Sequence, residues 1–183
     1  MPTIYDAVLG DLAAVFARID DAGVDAAIAE LAAARRIALF GCGREGLQMR
    51  GLCMRLFHMG LKVTMVGDMT AFPVGHGDLL FASAGPGALP TAAALLGVAR
   101  QAGARTLLIT AQPQGSTSRM ADALLILPAQ TMADDQGPSV SVLPMGSVFE
   151  GAMFVLFEVV ILKLREKLGV SMETMRANHT NLE

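Results

Sequence analysis

RIALFGCGREGLQMRGLCMRLFHMG, residues Arg36–Gly60, decides how the rest of the chain is read. A short apolar run, Ile37–Phe40, leads into Gly41, Gly43 and Gly46, and an apolar helical pattern punctuated by arginines follows, with Leu47, Leu52, Met54, Leu56 and Met59. Strand, glycine turn and helix form a ligand-cradling βα unit. The glycines let the backbone approach a ligand without Cβ clashes, and the helix start offers unpaired N–H groups and the positive end of its dipole.

Upstream, Ile4–Ile19 and Val24–Arg35 repeat apolar residues at helical spacing, so two helices precede the first strand. Downstream, Lys62–Val66, Asp78–Ser83, Arg105–Thr110 and Ala123–Leu127 read as strands. Thr91–Ala102 reads as a helix, Arg119–Ala121 as a helical turn and Thr131–Ser141 as an irregular polar stretch. Pro144–Leu168 is a long helix and Ser171–Asn178 a short one. This alternation predicts an α/β three-layer sandwich, with a five-stranded parallel sheet flanked by helices in a doubly wound, flavodoxin-like or Rossmann-like order. The whole chain, 1–183, reads as one domain: N-terminal helices over 1–35, a βα core over 36–128 and C-terminal helices over 144–183.

Composition narrows the function. With 53% hydrophobic and 17% charged residues the chain is unusually apolar, and we expect a homo-oligomer to cover the excess. A net charge of −3 gives no footprint for nucleic acid or a membrane surface. Glu150 and Glu158 interrupt the longest apolar region, which argues against a membrane span. Cys42 and Cys53 form neither a disulfide framework nor a zinc motif. A cytoplasmic protein without metal is expected.

Ligands of such sheets sit beyond the carboxyl ends of the strands, at the point where strand order reverses. Two glycine-rich turns occupy such ends, Gly41–Gly46 and Ser83-Ala84-Gly85-Pro86-Gly87. They face each other if the first and third strands are neighbours. The first turn matches GxGxxG, and Asp68 follows where a ribose-binding acid would stand. Two leading helices, a five-strand sheet and the second glycine turn speak against a dinucleotide. Glu150 shares a helical face with Phe154, Phe157 and Ile161. A carboxylate on such a face is either an ion-pair partner for Arg44, Arg50 or Arg55, or a general base with a raised pKa.

These residues resemble the sugar isomerase (SIS) domain, and within it the 6-phospho-3-hexuloisomerases. The resemblance runs through Gly41–Arg44, Met54–Gly60, Val66–Asp68 and Gly77–Leu80. It is most specific in Leu143-Pro144-Met145-Gly146-Ser147-Val148-Phe149-Glu150 and His179-Thr180-Asn181-Leu182-Glu183. It implies a tetramer that isomerises a sugar phosphate through an enediolate, with neither metal nor organic cofactor. It also implies that Glu150 transfers the proton, and that His179 reaches a neighbouring subunit's site to move protons on sugar oxygens. Gly43, Arg44, Glu45, Gly46, Arg50, Ser83, Gly85 and Gly87 are the expected substrate-binding residues, several through backbone amides. The alternative is a non-catalytic module that binds or senses a sugar phosphate.

The chain departs from the family at its phosphate loops. Glu45 stands where the family has serine, and Gly85 and Ala88 replace a serine and a threonine of Ser-Gly-Ser-Gly-Glu-Thr. A hydrogen bond to a charged group contributes roughly 1.5–3 kcal/mol. Losing three costs about 4–5 kcal/mol even at the low end, on the order of a thousandfold in affinity. Either Arg44, Arg50 and Ser116-Thr117-Ser118 supply replacements, or the substrate is not a conventional phosphosugar and Glu45 meets its hydroxyl or amine.

Overall fold

The strands carry a period of two that sorts their side chains onto two faces. Ile37, Leu39, Leu79, Phe81, Leu107, Ile109 and Leu125 join one core cluster, whereas Ala38, Leu80, Ala82 and Leu108 join the other. The computed structural model describes residues 3–136 and 141–182. Residues 137–140 of the stretch read as irregular lie outside the described residues, as does Glu183 of the terminal motif.

The elements follow in order: α1 Ile4–Phe16, α2 Asp21–Ala33, β1 Ile37–Phe40, α3 Gly43–His58, β2 Val63–Met65, β3 Leu79–Ser83, α4 Pro90–Gln101, β4 Arg105–Thr110, a 3₁₀ turn Ser118–Met120, β5 Ala123–Ile126, α5 Ser147–Leu168 and α6 Met172–Ala177. All strands pair in parallel in the order β2-β1-β3-β4-β5. The three-layer sandwich is lopsided. Helices α1, α2, α3, α5 and α6 contribute to the larger core, and α4 covers the opposite face with Ala92, Leu96 and Ala99.

Local chemistry explains where elements begin and end. Thr3 and Asp6 form a reciprocal capping box at the start of α1. Helix α2 starts earlier than its apolar pattern suggests because the Asp20 side chain accepts from the Ala22 N–H at 3.2 Å. Helix α5 begins at Ser147 rather than Pro144, since Met145 and Gly146 take φ values of 56° and 72°. On α3 the buried stripe is Met49, Leu52, Leu56 and Met59. Leu47 and Met54, which also fit the apolar pattern, are exposed because they project from the far side of that stripe.

At the amino ends of the strands, Asp78 has a fully buried side chain and accepts bonds from Arg35, Arg36 and the Gly75 N–H at 2.8–3.2 Å. It locks β3 to the segment entering β1. The opposite pole, at the carboxyl ends of β1 and β3, holds the two glycine turns. Because β1 has β2 on one side and β3 on the other, the strand order reverses there.

Candidate active site

The turn after β1 is drawn tight by its glycines. A Cβ on Gly46 would lie 2.5 Å from the Gly41 carbonyl oxygen, so only glycine lets α3 start this close to β1. The Gly46 N–H donates to Cys42 O at 3.0 Å. In the second turn the Gly87 N–H donates to Ala84 O at 2.9 Å, and a Cβ on Gly87 would lie 2.5 Å from the Gln112 Cβ. The amides of Gly46 and Gly87, expected to hold the substrate's polar end, are therefore spent inside the protein. Gly43, at φ 53°, Arg44 and Glu45 open α3, where geometry gives their N–H groups no intrahelical acceptor.

Glu45 crosses from the first turn to the second. Its Oε2 accepts from the Ser83 hydroxyl and, at 3.0 Å, from the Gly85 N–H, which also lies 3.3 Å from Oε1. The two turns thus face each other across β1 and β3, joined by a carboxylate. Gly85 has no room for a side chain: a Cβ would sit 2.9 Å from Glu45 Oε1 and 2.8 Å from Phe149 Cε1. Glutamate at 45 and glycine at 85 are a matched pair, not two separate losses.

The start of α5 closes the site from above. Arg44 donates to Met145 O and Ser147 Oγ, both at 2.5 Å, and its Nη2 lies 3.3 Å from Glu150 Oε1. Met145 itself takes a positive φ of 56°, which non-glycine residues rarely adopt. Arg44 is the structural partner the sequence allowed for Glu150, but it satisfies one oxygen only. Glu150 Oε2 is buried and accepts no hydrogen bond among the described residues. Phe149 presses on Gly85, and Met153 Sδ stands 4.0 Å from Ser83 Oγ, so α5 is fitted to the second turn.

Burial pushes both carboxyls above the ordinary glutamate range. For Glu45 the bonds from Ser83 and Gly85 and the charge of Arg44 pull the other way. For Glu150 the Arg44 charge and a backbone N–H pull down, and the nearby Glu45 charge pushes further up. The cluster carries two carboxylates against one guanidinium.

Other sequence expectations fall elsewhere. Arg50 lies on the next turns of α3 and pairs with Asp68 at 3.5 Å, on an exposed surface. Arg55 forms a two-pronged pair with Glu158 at 2.9 Å. Of the stripe beyond Glu150, Phe157 and Ile161 are buried and Phe154 is exposed. Thr117 bonds to the Leu89 backbone and Ser118 donates to Gln112 O, so these hydroxyls hold the loop after β4 rather than replacing the missing donors. His179 lies against His58 of the same chain, ring centroids 5.0 Å apart and the rings tilted by 32°, at the far end of α3. The thirteen residues from Glu45 to His58 span about 20 Å of helix, so one chain does not bring His179 to Glu150. The residues that sequence reasoning passed over are Ser147, the Met145 carbonyl and Phe149. Their signals were the Leu143–Glu150 motif, which contains all three, and the joint departure at positions 45 and 85. Among the described residues no group of three or more His, Cys, Asp or Glu side chains is placed to hold a metal ion, and no helix is long and apolar enough to cross a membrane.

Known proteins resemble this chain in sequence and fold. The SIS domain model matches residues 30–155. The 3-hexulose-6-phosphate isomerase of Bacillus subtilis is 31% identical over 176 residues, covering 96% of this chain and 95% of that protein. The corresponding protein of Mycobacterium gastri is 34% identical over 176 residues, covering 96% and 88%. A crystal structure of a Methanococcus jannaschii protein, for which a 3-hexulose-6-phosphate isomerase function was inferred, superposes with a TM-score of 0.83 at 26% identity, covering 98% of both chains. The chain belongs to the SIS domain family and is homologous to 3-hexulose-6-phosphate isomerases.

Proposed function

We propose that this protein is an isomerase of a carbohydrate derivative that moves a proton between adjacent carbons through an enediolate, with Glu150 as the base. The observation that carries the reading is the buried Glu150 Oε2, without a hydrogen bond among the described residues, beside a strand-order reversal. A carboxylate oxygen that no donor among the described residues stabilises is free to take a proton, and burial pushes the Glu150 carboxyl above its ordinary value, which makes it a stronger base than a solvated glutamate. Arg44 steadies the other oxygen, so one face of the carboxylate stays directed. The carboxyl so formed returns its proton to the neighbouring carbon, and the base is regenerated within one turnover. The activity of the Bacillus and Mycobacterium relatives supports this reaction class.

His179 would act on the sugar oxygens of a second subunit, in a homo-oligomer, because its own chain holds it far from Glu150. Exposed apolar side chains along α3 and α5, including Met54, Phe57 and Phe154, support burial against another copy. A non-catalytic binding module is the competing reading, supported by the missing hydroxyls at Gly85 and Ala88.

Glu150→Gln separates the two. It keeps shape but removes the base, so incorporation of solvent deuterium at the substrate carbon should fall by about 10²–10⁴-fold, while ligand binding persists. An unchanged exchange rate would refute the isomerase reading.

A further inference from the structure

We propose that the crevice between the two glycine turns receives a neutral, hydroxyl-terminated sugar rather than a sugar phosphate, with Glu45 as the acceptor that makes the choice. The reaction class rests on the isomerase reading above. The choice of ligand rests on the geometry of the second turn.

That turn is an anion cradle, and the protein already fills it. The Ser83 hydroxyl and the Gly85 N–H both point to the Glu45 carboxylate. An incoming phosphate would have to displace an anion tethered three residues into α3, which competes at high effective concentration. It would then share the half-buried space with the displaced carboxylate, like charge against like charge. Adding a donor at position 85 is blocked, since the Cβ position is hemmed in by Phe149 and Glu45.

Among the described residues, the arginines near the turns are already engaged by protein acceptors. Arg44 is held by Met145 O, Ser147 Oγ and Glu150, and Arg50 faces Asp68. With Glu45 and Glu150 charged, the cluster around Arg44 has one more negative than positive group. Such a site repels a phosphate dianion and attracts donors. A carboxylate has about four acceptor positions, and here one hydroxyl and one shared N–H occupy part of them, most weakly on Oε1. The remaining capacity suits a sugar hydroxyl, which brings a donor and no charge.

The test uses the full chain, with D-fructose, D-tagatose and D-allulose, their 6-phosphates and inorganic phosphate as probes. Binding is followed by calorimetry and thermal shift in the wild type and in Glu45→Ser. Wild type should bind the free ketoses more tightly than their 6-phosphates and show no stabilisation by inorganic phosphate. Glu45→Ser frees Ser83 and Gly85 and removes the competing charge. Each freed donor should improve phosphate-ester binding about tenfold or more, so the preference reverses and inorganic phosphate stabilises the variant. Tighter binding of any 6-phosphate by wild type, an unchanged ratio in Glu45→Ser, or no phosphate response in that variant would each overturn the proposal. Deuterium exchange in Glu150→Gln reports on the isomerase reading independently. Loss of exchange on a preferred 6-phosphate would leave an isomerase with a phosphate site. A reversed preference with exchange unchanged would leave the ligand assignment without the reaction.

Discussion

Gly85→Ala tests the packing of the site at a single atom. The backbone of Gly85 lies outside the left-handed region, so an alanine there is conformationally admissible and its cost is contact alone. The added Cβ would stand 2.8 and 3.0 Å from Phe149 Cε1 and Cδ1, and 2.9 Å from Glu45 Oε1. Phe149 is only 1% exposed and belongs to the main core, so it cannot yield cheaply. The Glu45 carboxylate can move only by weakening its bonds to Ser83 and Gly85. Overpacking of this kind costs about 1–3 kcal/mol, which lowers the melting temperature of a domain this size by roughly 2–4 °C per kcal/mol. Glu45→Ala removes one of the two obstructing groups, so Gly85→Ala should be cheaper in that background by about 1 kcal/mol. Urea unfolding of the wild type, both single variants and the double variant at neutral pH measures the coupling. Additivity within about 0.5 kcal/mol would show that Glu45 does not rest against Gly85, and the case for a self-filled cradle would fail with it.

Three further outcomes follow from other parts of the molecule. Asp78→Asn should cost about 2–3 kcal/mol at neutral pH, because the buried carboxylate is held by two partly exposed arginines and a backbone N–H. Its arginine partners hold the Asp78 carboxyl well below the ordinary aspartate value of 3.8. That stability is present above the unfolded pKa and is lost as pH falls toward the folded one, so wild type and variant should converge in acid urea titrations. Arg44→Gln removes the charge that opposes the rise of the Glu150 pKa. The acid limb of the pH profile of kcat/KM should therefore move to higher pH, and an unmoved limb would exclude Glu150 as the titrating base. Gly46→Ala inverts the usual helix preference. Alanine normally stabilises a helix by about 1 kcal/mol over glycine, but its Cβ would lie 2.5 Å from Gly41 O. We expect a loss of about 1–3 kcal/mol in thermal unfolding instead.

The βα succession, the five strands and the two glycine turns are legible in the sequence, because they depend on spacing along the chain. Periods of 2 and 3.6, glycine turns and caps act between residues a few positions apart. Ile37–Phe40 and Arg105–Thr110 have the bounds their apolar runs suggest. The parallel, doubly wound order followed from crossover handedness, a rule of topology that local pattern can invoke. The candidate base Glu150 was legible as a carboxylate on an apolar helix, and the departures at 45 and 85 were visible as two residue changes. It takes the folded chain to bring Glu45 to Ser83 and Gly85, 38 and 40 residues away, and Arg44 to Ser147 at a separation of 103. Likewise, His179 lies against its own His58, and Glu150 Oε2 is buried without a donor among the described residues. These facts depend on which strands lie side by side and on the angle at which α5 crosses their ends. A few tenths of an ångström there separate a bond from a clash, and no spacing rule along the chain carries that information.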